Sequence, residues 1–404
     1  MYKSFHIFAN AALGQGLSGS DRIFIEFAKR LKEKYRITIH VWREGYEMCR
    51  KQGLSDGVVF KLIKVDRWCK FGFLVCYFAR IFKAVLYALF VKLNKPEETI
   101  IYSASEFWMD SLPTLIIKLR YPKAVWIAGW FQTAPNPFKG FSEGSREDAY
   151  KLSAFYYWLM QFPIKPFIER WADLCLVNND LEKKQFPKLD KKNQVIVILG
   201  AVNTQEIKNW IHQQSMVIPK VYDGVFQGRF HPQKGIVELI DIWKIVTKTI
   251  PSAKLALIGD GPLMKDVKIR IEQLDLQRNV ELFGYVFDGS KKYQIFSRSK
   301  IVVHPAFYDS GGMAAAEAMA FGLPAVGFKL ESYKSYYPKG MIKVKIGDMQ
   351  EFASKIIELI SDNKSREIFG LEAQKMILEN WSWDKRVREL MNVLNKYKYK
   401  YKYK

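Results

Sequence analysis

No stretch of this 404-residue chain is apolar for long enough to cross a bilayer: the charge-free runs at residues 71–79 and 84–91 fall well short of the ~20 apolar residues that a membrane helix needs. No membrane span is expected. The first ten residues hold one lysine and an apolar stretch of strand length before glycine and serine follow, which does not make a signal peptide. Cysteine is scarce, and the spacings of Cys49, Cys69, Cys76 and Cys175 fit neither a zinc site nor a C-x-x-C redox pair. The chain therefore reads as cytoplasmic and reduced. Bulk disorder is excluded by a hydrophobic fraction of 49% with 28 Phe, 21 Tyr and 11 Trp.

Acidic residues are also in short supply: 41 Asp and Glu face 63 Lys and Arg, for a net charge of +22. More than half of that excess is local. Residues 61–96 carry eight bases (Lys61, Lys64, Arg67, Lys70, Arg80, Lys83, Lys92, Lys95) against Asp66 alone, and residues 396–404 are a strict Lys-Tyr alternation adding +5. No RNA-binding signature or Cys/His finger accompanies the charge, so nucleic acid is not the expected partner. The first segment interleaves its cations with Trp68, Phe71, Phe73, Tyr77, Phe78 and Phe82, the composition of a helix lying on an anionic membrane. A core helix with solvated lysines has the same composition. The tail is expected to be disordered.

The C-terminal half alternates strands and helices without interruption: strands at 225–226, 254–258, 280–283, 301–304 and 325–328, with helices at 235–250, 263–274, near Tyr293 and at 313–321. The N-terminal half repeats the style, with strands at 5–8, 37–42, 99–103, 124–128, 174–177 and 195–198 and a helix at 21–34. Such alternation predicts parallel sheets, so the fold expected is α/β, two Rossmann-like domains facing a cleft. We place an N-terminal, acceptor-side domain at 1–203 and a linker at 204–222, where periodicity is weak. A donor domain follows at 223–380, then a C-terminal helix at 381–395 packing back on the N-terminal domain and the tail at 396–404.

Four motifs fall at strand ends. Gly14, Gly16 and Gly19 form a Gly-rich turn ahead of a helix, where backbone N–H groups can approach a phosphate; a flexible loop has the same look. No acid closes the next strand before Glu44, so a dinucleotide cofactor is not favoured. The second motif runs from Gly228 to Gly235 and sets Arg229 and Lys234 five residues apart at a helix start, two cations that suit a departing diphosphate. The third, Gly259-Asp260-Gly261-Pro262, is a tight turn after a strand. In the fourth, Asp309 and Glu317 flank Ser310, Gly311, Gly312 and Met313, and Glu317 sits in an Ala-rich apolar helix where a charge needs a partner.

Together these residues resemble the retaining glycosyltransferases of family 4, of GT-B fold. The resemblance rests on G-R-F-x-x-x-K-G from Gly228, G-D-G-P from Gly259, F-G-Y-V through Tyr285, and the pair Asp309 and Glu317 followed by E-A-M-A-x-G-x-P. Ser18-Gly19-Ser20-Asp21-Arg22, Ala134-Pro135-Asn136-Pro137 and Ala172-Asp173-Leu174 extend it over the N-terminal half. It implies that Arg229 and Lys234 hold the donor diphosphate, Glu317 the ribose and Asp309 the transferred sugar. Ser310, Gly311, Gly312 and Met313 would supply backbone contacts, Gly19 would meet the diphosphate from the other domain, and Gly228, Gly259, Gly261 and Tyr285 would belong to the donor side. Asp309 stands where the family usually has Glu, and Trp130 where it has an acceptor-side His. The expected substrates are a nucleotide-diphosphate sugar and a saccharide or lipid-linked acceptor, without cofactor. The lack of a D-x-D sequence, with cations in its place, predicts metal independence. A nucleotide-sugar epimerase would be expected to bring more acids and histidines than the five His present. A catalytically silent binding subunit is the alternative from another class.

Overall fold

Short runs of Val, Ile and Leu, too brief for helices and free of polar alternation, become two all-parallel sheets, as expected for strands covered on both faces. The computed structural model describes residues 2–12, 17–64, 67–141, 150–214 and 218–402. The first sheet contains β1 (Ser4–Phe8), β2 (Arg36–Val41), β3 (Val58–Leu62), β4 (Thr99–Ser103), β5 (Val125–Gly129), β6 (Leu174–Val177) and β7 (Val195–Val197), in the order β3-β2-β1-β4-β5-β6-β7. The second contains β8 (Tyr222–Gln227), β9 (Leu255–Ile258), β10 (Val280–Gly284), β11 (Ser299–His304), β12 (Ala325–Phe328) and β13 (Met341–Val344), in the order β10-β9-β8-β11-β12-β13. In each sheet the winding direction reverses beside the first strand, between β1 and β4 and between β8 and β11. A crevice opens at such a switch point outside the carboxyl ends of the strands.

The chain divides into two units, one of residues Met1–Pro137, Phe155–Leu199 and Arg386–Lys404, the other of Phe138–Ala154 and Gly200–Lys385. Residues 204–222 are therefore no linker: Thr204–Gln213 is a helix of the second unit. Its apolar spacing is short, but Trp210 packs edge-on against Tyr293 and Phe321 and is buried with Ile207. The tail also differs from expectation, because the last helix, Trp383–Lys402, runs through it. Tyr397 anchors that helix within the first unit by donating to Asp173 Oδ1 (2.8 Å), whose Oδ2 accepts from Lys118 Nζ (2.6 Å) and the Trp126 N–H (2.7 Å). Cys69 and Cys76 are joined in a disulfide, against the reading of the chain as reduced. The turn Trp68–Phe71 and the start of the next helix bring their Cα atoms to 4.2 Å.

That next helix, Phe73–Phe90, buries Cys76, Tyr77, Ile81, Ala84 and Ala88. Arg80 points inward with them, 3% exposed, donating to the Ala12 carbonyl (3.0 Å) and to Glu44 Oε2 (3.2 Å) and stacking on Trp42. Among the described residues no helix is long and apolar enough to cross a membrane.

Candidate functional site

The loops that leave β8, β9 and β11 meet at the carboxyl edge of the second sheet. Gly228 donates to the Ile258 carbonyl (3.0 Å) and Phe230 to that of Asp260 (2.9 Å), so the β8 loop is laid over the β9 turn. Two glycines make the crossing possible. A Cβ on Gly259 (φ 145°) would collide with the Gly228 carbonyl oxygen, and one on Gly235 (φ 63°) with that of Pro305. Between Gly228 and Gly235, Phe230 is buried in the core, Arg229 is exposed, and Lys234 ends the short turn Pro232–Lys234.

Lys234 Nζ lies 2.6 Å from Asp309 Oδ2, both side chains being mostly buried. The same oxygen accepts from the Tyr333 hydroxyl (3.0 Å) and from His304 Nε2 (3.1 Å), and Oδ1 accepts from the Gly311 N–H (3.3 Å). Burial pushes the Asp309 carboxyl up, but the Lys234 charge and the His304 hydrogen bond override it and hold the group well below the usual carboxylate range. His304 is buried and its pKa is lowered, first by burial and then by Lys234, against the pull of Asp309. The neutral ring therefore carries its proton on Nε2, facing the carboxylate.

Three tyrosines fix the loop that follows Asp309. Tyr337 donates to the Gly312 carbonyl, Tyr336 accepts from the Gly200 N–H (3.0 Å), and Tyr333 holds Asp309. A Cβ on Gly311 would stand 2.6 Å from the Tyr336 ring, and Gly312 (φ 58°) caps the helix Met313–Met319. The Met313 side chain fills the space over Gly200. One turn into this helix, Glu317 Oε2 accepts from Lys292 Nζ (2.7 Å) and from Gln227 Nε2 (3.0 Å), and Lys292 pairs with Asp288 as well. Gln227 Oε1 is buried without a hydrogen-bond partner. Tyr285 lies just beyond β10, half-buried and edge-on to Phe287.

The second unit thus gathers Gly228, Lys234, Gly259, Gly261, Asp309, Gly311, Gly312, Met313 and Glu317 at one sheet edge. Asp309, expected to meet the transferred sugar, has its carboxylate paired with Lys234 in this structure. His304, Tyr333, Lys292 and Gln227 escaped the sequence reading; His304 alone had a signal nearby, closing the strand expected at 301–304 just ahead of the motif that carries Asp309 and Glu317. In the first unit, Gly19 stands in the opening turn of the helix Gly19–Leu31, whose Ser18 and Asp21 form a capping box. Gly14 and Gly16 lie outside the described residues. Trp130 is not a surface residue: it is 1% exposed, packs edge-on against Phe186 and donates to Thr133 Oγ1 (2.8 Å). Buried polar groups at the carboxyl edge of this sheet include Glu106, Glu182 and Gln161. Glu182 accepts from the Thr133 N–H (2.9 Å) and hydroxyl (2.6 Å), Glu106 from the Phe131 N–H (3.2 Å), and Gln161 from the Ala134 N–H (2.7 Å). Burial, reinforced by Glu182, raises the Glu106 carboxyl to about 7.

Residues 208–376 match the family described as glycosyl transferases group 1. The poly(ribitol-phosphate) alpha-N-acetylglucosaminyltransferase of Staphylococcus aureus is 28% identical over 174 residues, 41% of this chain and 34% of that protein. An uncharacterized glycosyltransferase of Methanocaldococcus jannaschii, MJ1069, is 24% identical over 92% of this chain and 93% of its own length. The chain spans between a quarter and under a half of the first three curated relatives it matches. Among solved structures, a mutant of S. aureus TarM with fondaparinux, alpha-GlcNAc-glycerol and UDP superposes with a TM-score of 0.72 at 13% identity, covering 98% of this chain and all of that one. Anabaena Alr3699/HepE with UDP and glucose gives 0.69 at 15% identity, with coverage of 98% and 100%. These likenesses establish the GT-B fold.

Proposed function

Since residues 208–376 match the glycosyl transferases group 1 family, we propose that the protein is a retaining, metal-independent glycosyltransferase of hexosyltransferase type. It moves a sugar from a nucleotide-diphosphate sugar to a saccharide or lipid-linked acceptor in the cytoplasm, at the inner face of a membrane. The observation that carries this reading is the meeting of Lys234 with the Asp309–Met313 loop at the switch point between β8 and β11. A cation on a fixed loop beside small-residue backbone is what a leaving diphosphate needs. UDP in the structures of similar fold makes uracil the first nucleobase to test.

In the proposed reaction the bond from C1 of the sugar to the diphosphate oxygen breaks while the acceptor oxygen bonds C1 on the same face. The acceptor proton passes to the departing phosphate oxygen, so no side-chain nucleophile is required. Arg229 and Lys234 disperse the charge that grows on the diphosphate. Glu317, braced by Lys292 and Gln227, accepts from the ribose hydroxyls, and Asp309 contacts the sugar once the donor draws Lys234 to its phosphates.

Incubation with labelled UDP- and GDP-sugars and with saccharide and total-lipid acceptors tests this. Transfer with the donor's anomeric configuration, undiminished by EDTA, is expected, and Arg229→Ala should cost ~10²–10³ in turnover. Inverted product, dependence on added metal, or full activity of Arg229→Ala would each refute the corresponding step. Tight UDP binding without transfer would identify a binding subunit instead.

A further inference from the structure

The helix Phe73–Phe90 is amphipathic in the wrong sense for a solvated surface. Its one arginine, Arg80, is turned into the first unit, while Leu74, Val75, Phe78, Phe82, Leu89 and Phe90 are all exposed. Their spacing of three, four and seven places them along one outward stripe. The aromatic members are far from marginal, Phe78 being 55% exposed, Phe82 60% and Phe90 78%, and Phe71 and Trp68 continue the exposed apolar surface ahead of the helix. A contiguous apolar face of this kind marks an interaction surface. Phe155, Leu159 and Phe162, also exposed, belong to the neighbouring segment, whose Met160 packs into the same cluster as Tyr77 and Ile81.

The charges around the stripe say what covers it. With Arg80 internal, seven exposed cations remain: Lys61, Lys64, Arg67 and Lys70 before the helix, Lys83 on it, and Lys92 and Lys95 after it. The helix is thus an apolar bar about 27 Å long at 1.5 Å per residue, with basic groups at both ends. Two copies of this face would set like charges against each other, which disfavours self-association. Lipid acyl chains beneath anionic headgroups match both features at once.

We propose that this face docks on an anionic phospholipid bilayer, with the helix lying in the interface plane, its phenylalanines among the acyl chains and the lysines at the headgroups. The chain leaves β3 at Leu62, at the carboxyl edge of the first sheet, and begins the helix eleven residues later, at Phe73. The bilayer therefore meets the first unit near the edge that carries Glu106 and Glu182. If the glycosyl transfer proposed above holds, a membrane-embedded acceptor would reach that edge without leaving the bilayer; the docking itself does not depend on that reading.

The test uses the full chain and no sugar. Co-sedimentation is measured with vesicles of equal parts phosphatidylcholine and phosphatidylglycerol, and with phosphatidylcholine alone. Binding to the mixed vesicles only, with release as the Debye length contracts from ~10 Å at 0.1 M salt to ~3 Å at 1 M, is expected. Phe78→Asp with Phe82→Asp should lower binding about 100-fold, and Lys70→Gln with Lys83→Gln about 30-fold, with melting temperatures unchanged because these side chains point outward. Should the aspartate pair melt early, the glutamine pair still decides. No binding by the parent chain, or binding equally strong in both variants and so due to the Lys-Tyr end, would overturn the proposal. So would sedimentation velocity showing a dimer that the aspartate pair dissolves.

Discussion

Replacing Asp309 by Asn keeps the shape of the side chain and removes the charge that Lys234 faces at 2.6 Å. At an effective dielectric of about 20, that contact is worth roughly 6 kcal/mol before desolvation is subtracted. Removing one member of a buried pair typically costs ~3–5 kcal/mol. The amide cannot escape the penalty by flipping: if its oxygen serves the Gly311 N–H, its NH₂ confronts the donors of Lys234, Tyr333 and His304. For a unit of this size ~3–5 kcal/mol corresponds to roughly 6–20 °C of melting temperature. The folded carboxyl titrates well below its unfolded value near ~3.9, so its stabilising contribution is complete above about pH 4 and is lost as pH falls through the depressed folded pKa. The cost of Asp309→Asn should therefore be equal at about pH 6 and pH 8 and shrink in acid. Urea unfolding followed by hydrogen exchange in peptides of β8 to β13 isolates the second unit. Lys234→Met should cost a similar amount, and the double variant less than the two costs added together, by ~2–3 kcal/mol. Costs that add to within ~0.5 kcal/mol would refute the pairing and with it the picture of Lys234 as held in reserve by Asp309.

Glu317→Gln should weaken UDP binding about tenfold or more by calorimetry, since a hydrogen bond to a charged group is worth ~1.5–3 kcal/mol, while Lys292 keeps Asp288 and the melting temperature barely moves; unchanged affinity with early melting would make Glu317 structural. Gly311→Ala should raise the donor KM more than it lowers kcat, because the new Cβ falls 2.6 Å from the Tyr336 ring, and Tyr336→Leu in the same chain should restore KM. A KM indifferent to both changes would mean the loop does not bind donor. Glu106 titrates near 7 when folded against 4.5 otherwise; its raised pKa makes stability fall as pH climbs between those values. Glu106→Gln should flatten that slope and stabilise the first unit above pH 7 by on the order of 3 kcal/mol, and an unaltered pH–stability curve would count against it.

The interior strands were legible because they are continuous apolar runs: the expectation at 99–103, 174–177 and 325–328 coincides with β4, β6 and β12. The edge strands β3 and β13 were not, since Val58–Leu62 and Met341–Val344 are partly solvated and mix lysine with aliphatics. The helix Thr204–Gln213 was missed for a related reason, its buried face consisting of Thr204, Ile207 and Trp210, of which only two are apolar. In the site, glycines and charges at strand ends could be read as a set, whereas Lys292 and Tyr333 join it only through tertiary contact. Their surroundings in sequence, Ser-Lys-Lys-Tyr and Ser-Tyr-Lys-Ser-Tyr-Tyr, carry no sign of an acid partner 25 or 24 residues away. The direction in which Arg80 points was equally invisible, because a charged residue in an apolar helix is ordinarily assigned to the outside.

The first unit is assembled from three separate stretches of chain, the last of which, from Arg386, is pinned through Tyr397 to Asp173. Protein engineering inherits a rule from this wiring. A hybrid spliced at Leu199 that takes everything downstream from another parent would give the first unit a foreign terminal helix, severing a partnership that Asp173, Lys118 and Trp126 have been built around. Specificity exchange in this scaffold is better treated as transplantation of the second unit, residues 200–385 together with 138–154, into a host that keeps both of its own ends.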